Sequence, residues 1–361
     1  MSQTQKLSRP VPPGGTIGIV GGGQLGRMLA LAASRLGLKT CIYNDAPDAP
    51  AFQVTQHALV APYDDLNMLA GFAEVCDAVT FEFENLPAHA IAHLAERVPV
   101  NPGAQALAIT QDRLSEKTFV EKLGLKTAPF FEVSSVEQAR DAFAKLDGRG
   151  ILKTRRFGYD GKGQAKVASA DEAAKAFESF KGAPAILEGF VDFSYEASVV
   201  AARGADGAFA AYDPPENDHE NHILRRSTVP SRLNARQVED AKILARKIGD
   251  ALDYVGVFAV ELFVRTDGAV LVNEIAPRVH NTGHWTIEAC ACSQFEQHIR
   301  AVAGWPLGDP ARHADAVMEN IIGAEVNAWE SLAKTGALHL YGKKEALPGR
   351  KMGHITRIRG K

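Results

Sequence analysis

Long apolar runs are missing from this chain. No stretch approaches the roughly 18 uncharged apolar residues that a membrane-spanning helix needs, and the opening MSQTQKLSRPVPPGG lacks the apolar core of a secretory signal. A cytoplasmic location is the resulting expectation. Cysteine is scarce as well: Cys41, Cys76, Cys290 and Cys292 form no C-x-x-C pair, which argues against a disulfide scaffold. Excess charge of one sign is absent, since 40 Lys and Arg against 43 Asp and Glu leave a formal net charge of -3. Composition therefore makes no case for nucleic acid or an anionic membrane as partner. Internal repeats, low-complexity tracts and coiled-coil heptads are also lacking. What is present, 361 residues with 46% hydrophobic and 23% charged, is an ordinary globular balance with room for about two or three domains.

Against that background residues 258–288, FAVELFVRTDGAVLVNEIAPRVHNTGHWTIE, carry unusual chemistry. Apolar alternation on either side of Thr266-Asp267-Gly268 predicts two antiparallel strands joined by a tight turn, with Glu261 in one and Glu274 in the other. Two carboxylates on one buried face repel each other unless a cation lies between them. Mg2+, held by carboxylates and by the phosphate oxygens of a nucleotide, fits that need. The plainer alternative leaves one or both acids facing solvent on an edge strand. Asn273 precedes the second acid, and a polar loop with Arg278, His280, Asn281 and His284 follows it. A loop of this kind at a strand end is where an anionic substrate would meet metal-bound phosphate, with Arg278 as a simple surface charge the bland reading.

Residues 1–15 predict a flexible leader. A strand, turn, helix and strand then surround Gly21, Gly23 and Gly26, which satisfy G-x-G-x-x-G, with Asp45 near the place of a ribose-binding acid. NAD is one reading; a sugar phosphate or a purely structural turn satisfies the same geometry. Helix and strand alternate up to residue 104, giving a small open αβ unit; Glu82 and Glu84 share a face if strand 78–83 continues through them, at its carboxyl end, where open sheets bind ligands. One long helix is predicted over 104–123, carrying Gln111, Asp112, Arg113 and Lys117. In ILKTRRFGYDGKGQAKV, Lys153 ends an apolar strand and Gly158, Gly161 and Gly163 free a turn able to close over a triphosphate, without the spacing of a Walker loop. An ordinary glycine-rich hairpin with surface lysines is the alternative. Glu188 ends a further strand, 189–193 form a linker, and Glu196 begins the next strand. Such a crossing between two lobes can offer backbone groups to an adenine edge and an acid to ribose hydroxyls. The stretch 214–226, with His219 and His222, reads as a loop that lacks the pattern of a transition-metal site. A helix over 235–251, a helix ending near 301 and a C-terminal hairpin with Lys343, Lys344, Arg350, Lys351 and His354 complete the chain.

Taken in order, GGGQLGRM, TFEFEN, QDR, KTRRFGYDGKGQ, LEGFVDFSYE, EN-x-H, VELFV, NEIAPRVHNTGH and GRKMGH resemble the ATP-grasp superfamily. Within it they most resemble the 5-(carboxyamino)imidazole ribonucleotide synthases of purine biosynthesis, also described as the ATPase subunit of phosphoribosylaminoimidazole carboxylase. The likeness runs from about Thr16 to the C-terminus, and GYDGKGQ together with NEIAPR-x-HN-x-GH is its specific part. It implies an α/β and α+β chain with an ATP-grasp fold: an N-terminal open αβ domain over 16–104, an ATP-grasp domain over 105–295 that includes a lid lobe over 125–193, and a small C-terminal mixed domain over 296–361. It implies an ATP-dependent carboxylase, a ligase that forms a carbon–nitrogen bond. ATP activates bicarbonate as carboxyphosphate, and the carboxylate passes to the exocyclic amine of 5-aminoimidazole ribonucleotide, giving the carbamate, ADP and phosphate. ATP and Mg2+ are the implied cofactors. A homodimer is the implied assembly, with a functional hand-off to the mutase that consumes the carbamate.

Residue by residue, the resemblance implies ATP contacts at Arg113, Lys153, the loop Gly158, Tyr159, Asp160, Gly161, Lys162, Gly163 and Gln164, the connection Glu188, Gly189, Phe190 and Val191, then Glu196, His219, Asn273 and Glu274. It makes Glu261 and Glu274 the magnesium ligands and puts Glu82, Tyr159, Arg278, His280, Asn281 and Lys351 around the ribonucleotide or carboxyphosphate. Asp160 would orient or deprotonate the attacking amine, and Lys162, where many relatives carry Arg, would hold the bicarbonate-derived anion as a point charge. The chemistry agrees, because bicarbonate is a poor electrophile that needs a phosphoryl leaving group, and a closing lid keeps carboxyphosphate from water. Three rivals remain. Another ATP-grasp carboxylase would differ at Tyr159, Arg278 and His280; an NAD-dependent dehydrogenase would leave the acid pair unused; a nucleotide-sensing module would leave the second-substrate groups unexplained.

Overall fold

Short segments rich in Ile, Val and Ala pair in parallel at the start of the chain. Strands Thr16–Val20, Lys39–Asn44, His57–Val60 and Ala78–Phe81 form a four-stranded sheet in the spatial order third, second, first, fourth. The computed structural model describes residues 7–146, 148–158 and 161–360, so Tyr159 and Asp160 lie outside the described residues. Helix Gln24–Arg35 follows the first strand, and its N-cap, Gly23, has no side chain with which to close it. The expected leader is partly corrected. Val11 is buried, its N–H donates to Ala303 O at 2.8 Å, and its carbonyl accepts from Trp305 Nε1 at 2.7 Å. Residues 7–15 thus pack on the end of helix Gln294–Val302, through partners too distant in sequence for a local reading to find.

The central sheet has nine strands, all antiparallel to their neighbours. From one edge it runs Val270–Ala276, Gly256–Arg265, Phe193–Arg203, Glu216–Glu220, Ile223–Val229, Asp315–Ile322, Lys351–Arg359 and Ala337–Leu340, with Phe209–Ala211 also on Phe193–Arg203. The C-terminal hairpin therefore continues the sheet that carries the two acids. Residues 214–226, expected as a loop, are mostly hairpin, closed by Asn221 and His222 at positive φ. Their inward positions, Asn217 and Ser227, are polar, so the apolar alternation that marks a strand is missing there.

A third sheet of Phe130–Val133, Ala185–Gly189, Gly150–Thr154 and Gln164–Val167 is covered by helices Val136–Ala144 and Ala170–Ser179. Ser135 and Ser169 cap those helices by accepting from Gln138 N and Glu172 N. The predicted long helix over 104–123 is two helices, Ala104–Thr110 and Arg113–Lys122. Asp112 interrupts it, taking an extended N-cap conformation and accepting from Leu114 N and Ser115 N while it also binds Arg155. Helix Ala235–Ala251 has the predicted bounds and opens with a capping box between Asn234 and Gln237. Among the described residues no helix is long and apolar enough to cross a membrane.

Candidate active site

The acid hairpin forms as predicted, and Glu261 stands directly across from Glu274. The register shifts immediately afterwards, so that Leu262 faces Val272 and Asn273 becomes a bulge. Its carbonyl accepts from Lys117 Nζ at 3.0 Å, while its side-chain Oδ1 is buried with no partner. Glu261 Oε1 lies 3.1 Å from His280 Nε2, and Glu274 Oε2 lies 3.1 Å from a terminal nitrogen of Arg113. Burial alone would push the Glu261 carboxyl up, but His280, His219 and Lys351 outweigh it and hold the group well below the usual carboxylate range. Two facing carboxylates beside an orphaned amide oxygen make an all-oxygen donor set. The described residues contain no group of three or more His, Cys, Asp or Glu able to hold a metal alone. That combination fits a hard ion such as Mg2+, which takes its remaining ligands from phosphate and water.

Behind the hairpin, the buried Glu188 carboxylate lies 2.8 Å from Lys153 Nζ and 3.5 Å from Lys117 Nζ. Burial raises its pKa, yet the two lysines and Arg113 outweigh that and hold it at about 2. Beside it, Glu116 accepts from Ile275 N at 2.6 Å, and burial with the nearby Glu274 charge pushes its carboxyl up to about 8. Arg113, Glu116 and Lys117 stand three and four residues apart on one helix, so a single helical face delivers all three to the acids.

Most of the remaining candidates converge here. Arg278 grips Glu84 through two nitrogens at 2.6 and 3.2 Å. A cleft of about 60 Å³ is lined by Glu84, Gln111, Arg113, Phe157, Glu274 and Arg278. His219 Nδ1 is 2.7 Å from Glu196, whose carboxylate outweighs burial and raises the imidazole pKa. Gly158 O accepts from Arg113 at 3.4 Å, and Gly161 and Gly163 hold φ of 80° and 68° beside Lys162, with Gln164 opening the next strand opposite Lys153. At the far wall Lys351 O accepts from Lys343 Nζ at 2.7 Å, and burial, Arg350 and Lys351 push the Lys343 ammonium down to about 8. A groove of about 300 Å³ on the opposite face of the central sheet is lined by Arg226, Glu319, Arg357 and Arg359, two of them paired with Glu319, away from the acids.

Three of the candidates already have partners within the fold. Glu82 is buried, with its carboxylate accepting from Gly23 N and from Gly26 N at 2.6 Å, so it supplies the cap that helix Gln24–Arg35 lacks. In this conformation those amides hold an internal acid and not a dinucleotide phosphate. Asn281 points its amide into a reciprocal pair with Asn320 at 3.0 and 2.8 Å. In the connection after Glu188, Gly189 N and Phe190 N already donate to Pro129 O and Arg149 O.

Residues 15–111 match the ribonucleotide synthetase pre-ATP-grasp domain, residues 118–295 the ATP-grasp domain, and residues 316–361 the phosphoribosylaminoimidazole carboxylase C-terminal domain. N5-carboxyaminoimidazole ribonucleotide synthase of Brucella melitensis is 54% identical over 351 residues, spanning 96% of this chain and 97% of that protein. The chain belongs to the N5-carboxyaminoimidazole ribonucleotide synthase family. The Bacillus subtilis synthase is 41% identical over 95% of this chain and 91% of its own length. Among solved synthases, an ADP complex superposes with a TM-score of 0.94 at 41% identity, covering 98% of this chain and 95% of that one. The Aspergillus clavatus synthase in complex with ADP and 5-aminoimidazole ribonucleotide gives 0.90 at 32% identity, covering 96% and 94%. The chain is thus an ATP-grasp ligase, with the synthase architecture of N-terminal αβ unit and small C-terminal mixed unit.

Several contributors escaped the sequence reading. Lys117 and Glu116 were visible only as members of a helix, although their spacing from Arg113 was the available signal. Gln111 stood in the QDR motif, but its role of donating to Glu84 O and Leu86 O and accepting from Arg156 had no local signal. Neither had Gln294, which binds both backbone groups of His280.

Proposed function

We propose that this chain binds ATP and couples bicarbonate to the exocyclic amine of 5-aminoimidazole ribonucleotide, forming 5-(carboxyamino)imidazole ribonucleotide, ADP and phosphate. The observation that carries the reading is Glu261 facing Glu274 beside the orphaned Asn273 oxygen, with Arg278 and His280 on the loop that follows. A bicarbonate oxygen attacks the γ-phosphorus, the bond to the ADP oxygen breaks, and carboxyphosphate forms. The amine nitrogen then attacks the carboxyl carbon and loses a proton, and the carbon–oxygen bond to phosphate breaks.

Glu261, Glu274 and Asn273 would hold Mg2+, which when bound neutralises charge on the transferring phosphoryl group. Lys153, Arg113 and the Gly158 to Gln164 loop, with Lys162, surround the phosphates and the bicarbonate-derived anion. Glu188 orients Lys153, Glu196 with His219 receives the ribose side, and Gly189 to Val191 border the base. Arg278, His280 and Lys351, with Lys343, face the ribonucleotide, while Glu82 and Asn281 shape that side from behind. Tyr159 as a substrate contact and Asp160 as proton acceptor rest on the family resemblance. The same reading takes 16–104, 105–295 and 296–361 as the domains. It adds a homodimer and a hand-off of the labile carbamate to the next enzyme. A cytoplasmic setting accords with four free thiols.

An ADP-release assay tests it with each substrate left out in turn. ADP formation should require bicarbonate and rise with the ribonucleotide; release indifferent to the ribonucleotide would point to a different amine.

A further inference from the structure

His280 is held on three sides. Gln294, completely buried, accepts from His280 N at 2.9 Å and donates to His280 O at 2.6 Å, so one amide side chain pins the main chain of the substrate loop. The ring lies between Glu261, 3.1 Å from Nε2, and Thr282 Oγ1, 2.9 Å from Nδ1. Behind Thr282 runs a line of polar side chains. Ser227 Oγ donates to Asn217 Oδ1 at 2.7 Å, Asn217 Nδ2 donates to Ser198 Oγ at 3.0 Å, and Ser198 Oγ donates to Thr282 Oγ1 at 2.7 Å. All four residues are buried, Asn217 most exposed at 5%. The sheet builds this line, because Ser198 stands directly across from Glu261 and Asn217 directly across from Ser227.

The donor inventory fixes its direction. Each hydroxyl has one proton, and that of Ser198 goes to Thr282. Thr282 must then place its own proton elsewhere, and its other bonded polar atom is His280 Nδ1. A ring nitrogen that accepts carries no hydrogen, so the neutral imidazole bears its proton on Nε2, facing the Glu261 carboxylate. The opposite tautomer would set a bare nitrogen against a carboxylate oxygen and turn both Ser198 Oγ and His280 Nδ1 into donors to Thr282 Oγ1, so that the Thr282 proton loses its acceptor.

We infer that Ser227, Asn217, Ser198 and Thr282 are positioning residues that hold the Nδ1 side of His280, in its Nε2–H tautomer, and thereby fix the orientation of Glu261. The role in the reaction rests on the proposed function: with one carboxylate oxygen engaged by the imidazole, the other is held for the metal and phosphate side. Partners of this kind act through the group they orient, and their loss typically lowers activity or metal affinity about 10–100-fold.

Nitrogen NMR of histidine-labelled protein at mildly alkaline pH tests the lock, with the His280 signals assigned by their loss in His280→Gln. The wild type should show a protonated Nε2 and a bare Nδ1. Thr282→Val, similar in shape without the hydroxyl, should remove the hydrogen bond to Nδ1 and move its nitrogen signal while Nε2 stays protonated against Glu261, and should lower kcat about tenfold or more; Thr282→Ser should restore both. Should Thr282→Val not fold, Ser198→Ala serves in its place. A protonated Nδ1 in the wild type, or an Nδ1 signal and kcat unmoved in Thr282→Val, overturns the inference. The spectrum needs no substrate, so an ADP-release failure in the wild type would remove the proposed function while leaving the tautomer as found.

Discussion

In the turn of Gly21, Gly22 and Gly23, the amides of Gly23 and Gly26 donate to Glu82, and a Cβ at Gly23 would meet that carboxylate at 2.6 Å. In the turn of Gly161 and Gly163, a Cβ would instead meet the His222 ring at 2.8 Å or Thr154 Oγ1 at 2.6 Å, while Arg113 reaches Gly158 O nearby. Both stretches are glycine-rich turns of the kind that can aim backbone amides at a phosphate. The first is an internal joint closed by an acid just past the neighbouring strand Ala78–Phe81; the second borders the acid pair. Glycine spacing therefore reports the path of the backbone, and the side chain that the rest of the fold sets opposite decides what the amides hold.

The largest effect should come on the side of the second turn. Glu274→Ala or Glu261→Ala should lower turnover by about 100-fold or more with little change in unfolding temperature, because each removes an oxygen facing the phosphates. The double substitution should cost little more than the worse single one, as expected for two ligands of one ion. Additive losses in steady-state kinetics would separate the two acids.

On the side of the first turn, Glu82→Gln should cost stability on the order of 1–3 kcal/mol in urea unfolding, since the amides of Gly23 and Gly26 use both carboxyl oxygens and Gln offers only one. ATP affinity should stay the same. An unchanged urea midpoint with weakened ATP binding would make the first turn a ligand loop after all.

His298 ties the first sheet to the site sheet, with Nε2 2.7 Å from Thr80 Oγ1 and Nδ1 accepting from Val257 N at 2.9 Å. Burial pushes its pKa down to about 3, against 6.5 for the free side chain. Between those values the unfolded chain binds a proton that the folded one does not. Stability should thus be complete above pH 6.5 and fall as pH drops towards 3, by up to about 1.4 kcal/mol per unit for this group. His284 and His354, also pushed down by burial, add the same sign. Urea midpoints at pH 7.5 and 5.0 check it, and His298→Gln should show a shallower difference than the wild type.

The smallest effect is expected for Gly161→Ala, which strains a residue at φ 80° and crowds His222. We expect kcat to fall several-fold with an unchanged unfolding temperature, whereas Gly23→Ala should lower the unfolding temperature first.

Features set by local alternation were legible in the sequence. The acid hairpin, the strand ending near Lys153 and helix Ala235–Ala251 follow from apolar period, turn residues and capping within a few positions. Features set by distant partners were not. The helix break at Asp112 answers to Arg155, the first glycine turn to Glu82, and the amide of Asn281 to Asn320. Strand Glu216–Glu220 was missed for a related reason, since its inward side chains serve a polar line and leave no apolar alternation. Family resemblance placed Glu82 and Asn281 near the ribonucleotide, but only the fold reveals their present partners.

The central claim is that bicarbonate is phosphorylated before it reaches the amine, and oxygen-labelled bicarbonate tests it most directly. If the oxygen that attacks the γ-phosphorus leaves with phosphate, turnover with 18O-bicarbonate and the ribonucleotide should yield phosphate carrying one labelled oxygen for each carbamate formed. Phosphate without label, at a full yield of carbamate, would contradict the account.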